Sequence, residues 1–184
     1  MLAELQRAAL SNVSTVPAAF EDLAPERTYG LVYAAAALHW TRAEGRWPRV
    51  AAMLDEGGVF ASFGGPIQLA DPALAASVAA ARAPFLESDD IASPDQTSPA
   101  EEMQWPGTEL LRSEWFSDVE QHVIKRSLSM SADEYLGHLS TVSAYLELPP
   151  ADRAQVFRRI RAVVPASVEV DADITAHLAR RTST

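Results

Sequence analysis

Residues Tyr29–Gly65 read YGLVYAAAALHWTRAEGRWPRVAAMLDEGGVFASFGG, and this stretch decides the fold. Leu31–Leu38 is an apolar, uncharged run between Gly30 and His39-Trp40. A run that short and that apolar suits a parallel strand buried on both faces. Glu44–Leu54 then has helical spacing, with Trp47, Val50, Ala51 and Leu54 on one side. Asp55-Glu56-Gly57-Gly58 reads as a glycine stop, and Val59–Phe63 as a second short strand closed by Gly64-Gly65-Pro66. Strand–helix–strand in this order predicts an α/β protein. Ligands of open parallel sheets sit at the carboxyl ends of the strands, here Ala36–Trp40 and Ser62–Pro66.

Working outward toward the amino terminus, Asn12–Phe20 reads as a strand and Glu21–Pro25 as a loop whose acids suit solvent. Met1–Leu10 reads as a helix that begins at full pitch with no capping residue, so part of the unit is expected upstream. In the other direction, Asp71–Leu86 reads as an alanine-rich helix with proline in its first turn. Glu87–Glu102 is acidic and carries Pro94 and Pro99, which predicts a mobile surface loop. Met103–Trp115 reads as a short helical segment and Val119–Met130 as an edge strand. Ser131-Ala132-Asp133-Glu134 is a capping box opening a helix to about Leu146. Pro149-Pro150 starts a further helix, with Val156, Phe157, Ile160, Val163 and Val164 at helical spacing. Its arginines read as a solvated face, with attraction of a carboxylate as the alternative. Val168–Ala179 reads as the last strand.

Composition narrows the function. A chain of 184 residues suits a single domain with a real core. The net charge of −10 disfavours nucleic acid and anionic membrane as partners, because both need basic surface. No cysteine is present, which removes disulfides and thiolate metal sites and is compatible with a cytoplasmic location. No apolar run approaches the roughly 20 residues that span a bilayer. The eight glycines never form G-x-G, no G-x-S-x-G elbow occurs, and the four histidines lack zinc-helix spacing. No metal site and no catalytic residue can be named.

The order of ALHW at a strand end, an amphipathic helix, L-x-x-GG and an apolar strand resembles the middle of a class I S-adenosylmethionine-dependent methyltransferase. The later LSTVSAYLELPPADRAQVFRRIRAVV and AHLARR are similar to small-molecule members related to trans-aconitate methyltransferase. The resemblance covers most of the chain and rests on the ordered set rather than on one motif. It implies a partial Rossmann-like sheet, parallel with an antiparallel C-terminal hairpin and flanked by helices. It also implies one methyltransferase-like domain lacking its first strand, glycine-rich loop and second strand, with residues 1–66 as the remaining cofactor side and 67–184 as the acceptor side.

The activity implied is methyl transfer from S-adenosylmethionine to a small molecule, a carboxylic acid among the candidates. The alternatives are an inactive remnant or a small-molecule binding module. Ala19, Phe20, Ala36 and Ala37 match the cofactor-binding positions, although Ala19 stands where the family places an adenine-binding residue that is small or acidic. The acceptor side would use His39, Trp40, Tyr135 and His138. His39 also reads as an ordinary loop histidine, and Trp40 and Trp47 as packing residues. The resemblance further implies that Leu31–Leu38 becomes a sheet edge. The expected relief is for Asn12–Phe20 to pair with it antiparallel, with homodimerisation through the edge as an addition.

Overall fold

The computed structural model describes residues 5, 7, 8, 10–24, 26–90, 93–98 and 100–183. The expected helix Met1–Leu10 lies largely outside them. The central unit forms as β1 (Tyr29–Ala35), α1 (Arg46–Met53) and β2 (Leu54–Gly64). Residues Asp55–Gly58 do not simply stop the helix. They belong to the start of β2, where the β1–β2 register slips between Tyr29 and Leu31. Downstream come β3 (Gln68–Leu69), α2 (Pro72–Arg82), α3 (Gly107–Arg112), β4 (Phe116–Ile124), β5 (Ser127–Ser131), α4 (Ala132–Leu139), α5 (Ser143–Leu146), α6 (Pro150–Val163), β6 (Ser167–Asp171) and β7 (Ile174–Arg181).

The strands make two sheets. The larger has the order β1-β2-β7-β4, and the smaller β3-β6-β5. β1 and β2 are parallel, with Leu31 opposite Val59 and Ala35 opposite Phe63. β7 runs antiparallel to both β2 and β4. The chain is thus an α/β protein with a mixed sheet and flanking helices, as the sequence predicts.

Two expected strands are each divided. Val119–Met130 breaks at Lys125-Arg126 into β4 and β5, and Val168–Ala179 breaks at Ala172-Asp173 into β6 and β7. The breaks face each other. Asp173 accepts from Lys125 Nζ at 2.6 Å and from the Arg126 amide at 3.0 Å, while the Ala172 amide donates to the Arg126 carbonyl at 2.8 Å. Both chain segments change sheets at this crossing, a long-range event with no local sequence signal.

The caps are local and form as read. Ser131 Oγ accepts from the Glu134 amide, and Glu134 Oε2 accepts from the Ser131 amide at 2.8 Å. Asp71 Oδ1 accepts from the Ala73 amide at 2.8 Å ahead of Pro72. The helix expected through Leu146 divides into α4 and α5. Ser140 Oγ and Thr141 Oγ1 donate to the carbonyls of Gly137 and His138, offering the backbone an exit from helix.

Asn12–Phe20 forms no strand, so the expected antiparallel pairing with β1 does not occur. Its apolar residues Val13 and Val16 are three apart and cannot share one face of a strand, and Pro17 brings no ladder donor. β1 therefore stays at the end of its sheet. Val32 and Ala34 pack into a core with Trp47, Val50, Leu54, Phe60, Leu110 and Phe116. On the opposite face Tyr33 is 63% exposed and Leu31 55%. A second core gathers Val78, Tyr135, Leu139, Tyr145, Val156, Ile160, Val168 and Val170 around α2, α4 and α6. Among the described residues no helix is long and apolar enough to cross a membrane.

Candidate functional site

The carboxyl ends of β1 and β2 lie side by side. Just past β1, Ala36 has φ of +47°, a left-handed conformation that an alanine adopts only under constraint. The constraint is visible. The Ala36 amide donates to the Phe63 carbonyl at 2.9 Å, and Gly64 passes so close that an added Cβ would meet Ala36 at 3.4 Å. Strained backbone of this kind gathers at ligand-contacting positions. Ala37 follows, and a single 3-10 turn, Leu38–Trp40, carries His39 and Trp40. Leu38 is buried and anchors the turn, whereas Trp40 is 66% exposed. The His39 and Trp40 rings stand 5.1 Å apart, and partial burial lowers the His39 pKa.

A second short turn, Phe20–Asp22, joins this end of the sheet. Glu21 Oε1 accepts from the Arg42 amide at 2.7 Å, and the Leu23 carbonyl accepts from Arg49 at 3.0 Å. The Arg42 amide holds the Glu21 carboxyl below its ordinary range. Glu21, read from sequence as a plain loop acid, thus ties Ala19-Phe20 to the loop that follows β1. Four predicted cofactor positions and two predicted acceptor positions fall around one set of loops.

Tyr135 and His138 stand elsewhere. Both are on α4, and Tyr135 is part of the second core. Burial, aided by the charge of Asp89, pushes the Tyr135 phenol up to about 12, and burial lowers His138. Among the described residues no hydrogen bond or ring contact joins these two to His39 or Trp40. Two open clefts run along α1. One, of about 380 Å³, lies among Leu23, Pro48, Arg49 and Met53. The other, of about 610 Å³, lies among Trp47, Glu109, Arg112 and Trp115. Neither is lined by residues 36–40, so the site is argued from strand-end geometry and not from either cleft.

Sequence reasoning missed the groups that hold this end in place. Arg46 is only 2% exposed. Its Nε donates to Thr41 Oγ1 and a terminal nitrogen to the Thr41 carbonyl, both at 2.8 Å, and it lies over the Trp105 ring at 5.3 Å. It was legible only as one more basic residue on an amphipathic helix. Also missed was the pair Arg82–Asp89, 2.7 Å apart, to which Tyr145 Oη donates at 2.8 Å. With Asp95, which Ser93, Thr97 and Thr108 surround, it anchors the acidic segment that the sequence predicts to be mobile. Burial alone would raise the Asp95 pKa, but these hydroxyls hold it well below the usual carboxylate range. Among the described residues no three His, Asp or Glu side chains converge to hold a metal ion.

No family model matches the sequence, and no curated protein matches it. Solved structures do. A proposed type II methyltransferase of Anaeromyxobacter dehalogenans superposes with a TM-score of 0.51 at 21% identity, over 94% of this chain and 72% of that one. The YcgJ protein of Bacillus subtilis superposes with a TM-score of 0.52 at 13% identity, over 100% of this chain and 77% of that one. At such identities the likeness is one of fold: this chain is an α/β protein with methyltransferase-like structural neighbours.

Proposed function

We propose that the chain is a methyltransferase-like unit whose β1–β2 carboxyl end meets S-adenosylmethionine and whose neighbouring turn meets a small-molecule acceptor. The observation that carries this reading is the left-handed Ala36 just past the end of the parallel strand β1, with Phe20 and the Leu38–Trp40 turn beside it. In that arrangement Phe20, Ala36 and Ala37 would hold the cofactor through backbone groups. Trp40 would offer a π face to the sulfonium cation, and His39 would form the acceptor rim. Methyl transfer suits a site without a nucleophile or a metal. The sulfonium supplies an activated methyl group when bound, and the protein positions the acceptor and excludes water.

A second reading, a binding module without turnover, is favoured by the exposed apolar face of β1 and by the absence of any G-x-G loop. Each missing charged hydrogen bond removes about 1.5–3 kcal/mol. Several such losses put the dissociation constant for S-adenosylmethionine no tighter than roughly millimolar. NMR titration with S-adenosylmethionine tests both statements. Amide shifts are expected at Phe20, Ala36 and Ala37 with weak saturation. Shifts confined to other residues would remove the site, and micromolar binding would overturn the expectation of weak affinity.

A further inference from the structure

We propose that Arg82, Tyr135 and Tyr145 form a binding site for a small free carboxylate, which the chain's own Asp89 fills in the free protein, so that ligand binding unlatches the acidic segment. The inference goes beyond the methyltransferase-like reading and does not depend on it. Among the described residues no hydrogen bond or ring contact joins these groups to His39 or Trp40.

The donors here outnumber what Asp89 satisfies. Arg82, the last residue of α2, presents Nη1 to Asp89 Oδ1 at 2.7 Å, and Tyr145 Oη donates to Asp89 Oδ2 at 2.8 Å. Arg82 Nε is buried with no hydrogen-bond partner, a state that costs free energy. Tyr135 stands close enough for the charges of Asp89 and Arg82 to act on its phenol, yet it makes no hydrogen bond among the described residues. Asp89 therefore leaves unused the Nε side of the guanidinium, the fork that grips a carboxylate with both oxygens.

Asp89 shows which chemistry fits, a carboxylate held between a cation and a phenol. Its tether to α2 fixes where its oxygens can reach. A free carboxylate has no such limit and can take the idle Nε side and the Tyr135 hydroxyl. The Arg82 and Asp89 side chains are 15% and 20% exposed, so solvent reaches the pair and exchange is open. Two carboxylates beside one cation repel each other, so the entry of one drives out the other. Losing Asp89 frees the start of the acidic segment and leaves Asp95 as its remaining anchor.

Acetate is the probe, with chloride at equal ionic strength as the control. Acetate is expected to shift the Arg82 side-chain Nε–H resonance saturably and to speed hydrogen exchange of the acidic-segment amides, whereas chloride does neither. Asp89→Asn keeps the side-chain shape and removes the competing charge. It is expected to bind acetate at least about tenfold more tightly, because a latch open less than about a tenth of the time masks the site by that factor. Tyr135→Phe takes no hydrogen bond from the free protein. It is expected to leave the thermal midpoint unchanged and to weaken acetate binding several-fold. The proposal is overturned by an Arg82 resonance that acetate does not shift saturably, or by an equal response to chloride. It is also overturned by an Asp89→Asn variant that binds no tighter, or by a Tyr135→Phe variant that binds as tightly as the parent.

Discussion

The Arg46 guanidinium donates to Glu109 Oε2 at 2.9 Å, and that same oxygen accepts from Trp47 Nε1 at 2.9 Å. One carboxylate therefore ties α1 to α3 and neutralises a cation that is almost wholly buried. Removing one member of a buried pair strands the other. Glu109→Ala is expected to lower stability by about 3 kcal/mol, the low end for such pairs because Glu109 keeps some contact with water. Urea denaturation measures it. In a double-mutant cycle with Arg46→Met, the double variant should lose clearly less than the sum of the single losses.

Tyr145 is fully buried, stacks on Phe157 at 5.5 Å and donates to Asp89. Tyr145→Phe keeps the ring and removes only the hydroxyl. A hydrogen bond to a charged acceptor contributes about 1.5–3 kcal/mol, and the variant should lose an amount in that range. Proteolysis should then cut first within the acidic segment that Asp89 anchors. Unchanged stability and unchanged cleavage would show that the Arg82–Asp89 pair holds the segment without Tyr145.

His177 is buried in β7, with Nε2 2.8 Å from Gln121 Oε1. Burial lowers its pKa, partly offset by a hydrogen bond with the Gln104 backbone. A histidine whose folded pKa is depressed binds its proton more readily unfolded. Its contribution is complete above the ordinary value of 6.5 and is lost as the pH falls below that value and through the folded one. His39 and His138 are lowered by burial too and share the effect. Stability measured across this window should decline with acid, and His177→Gln should flatten part of the decline. A variant with the parent slope would assign the effect to the other two.

Gly65 has no room for a side chain: an added Cβ would sit 2.0 Å from the Asp173 carbonyl oxygen. Gly65→Ala must push β2 away from the crossing at Asp173, an overpacking expected to cost about 1–3 kcal/mol. Ala36 makes the opposite case. Ala36→Gly removes left-handed strain of about 1–2 kcal/mol but loosens the unfolded chain by about half as much, so stability should change little or rise slightly. Ala36→Val should be clearly destabilising, because β-branching resists a positive φ. Thermal melts of the three variants check the ordering.

Much of this molecule follows from local sequence. The apolar run of β1, the face of α1 bearing Trp47 and Val50, the Ser131 capping box and Pro150 at the head of α6 all depend on residues within a few positions of one another. Periodicity, capping and turn chemistry act over that range, so the α/β class and most helices were legible, and Ala36–Trp40 could be named from the end of an apolar run. What only the tertiary structure decided involves partners far apart in the chain. Asp173 and Lys125 split two apparent strands between two sheets. Asn12–Phe20 formed no strand, since a strand exists only where the ladder of another strand pairs with it. Arg46 became a buried cation because Glu109, 63 residues away, neutralises it. Tyr135 joined the second core on α4, the helix that also carries His138, a placement that depends on how α4 packs against α6 and not on the sequence of either helix alone.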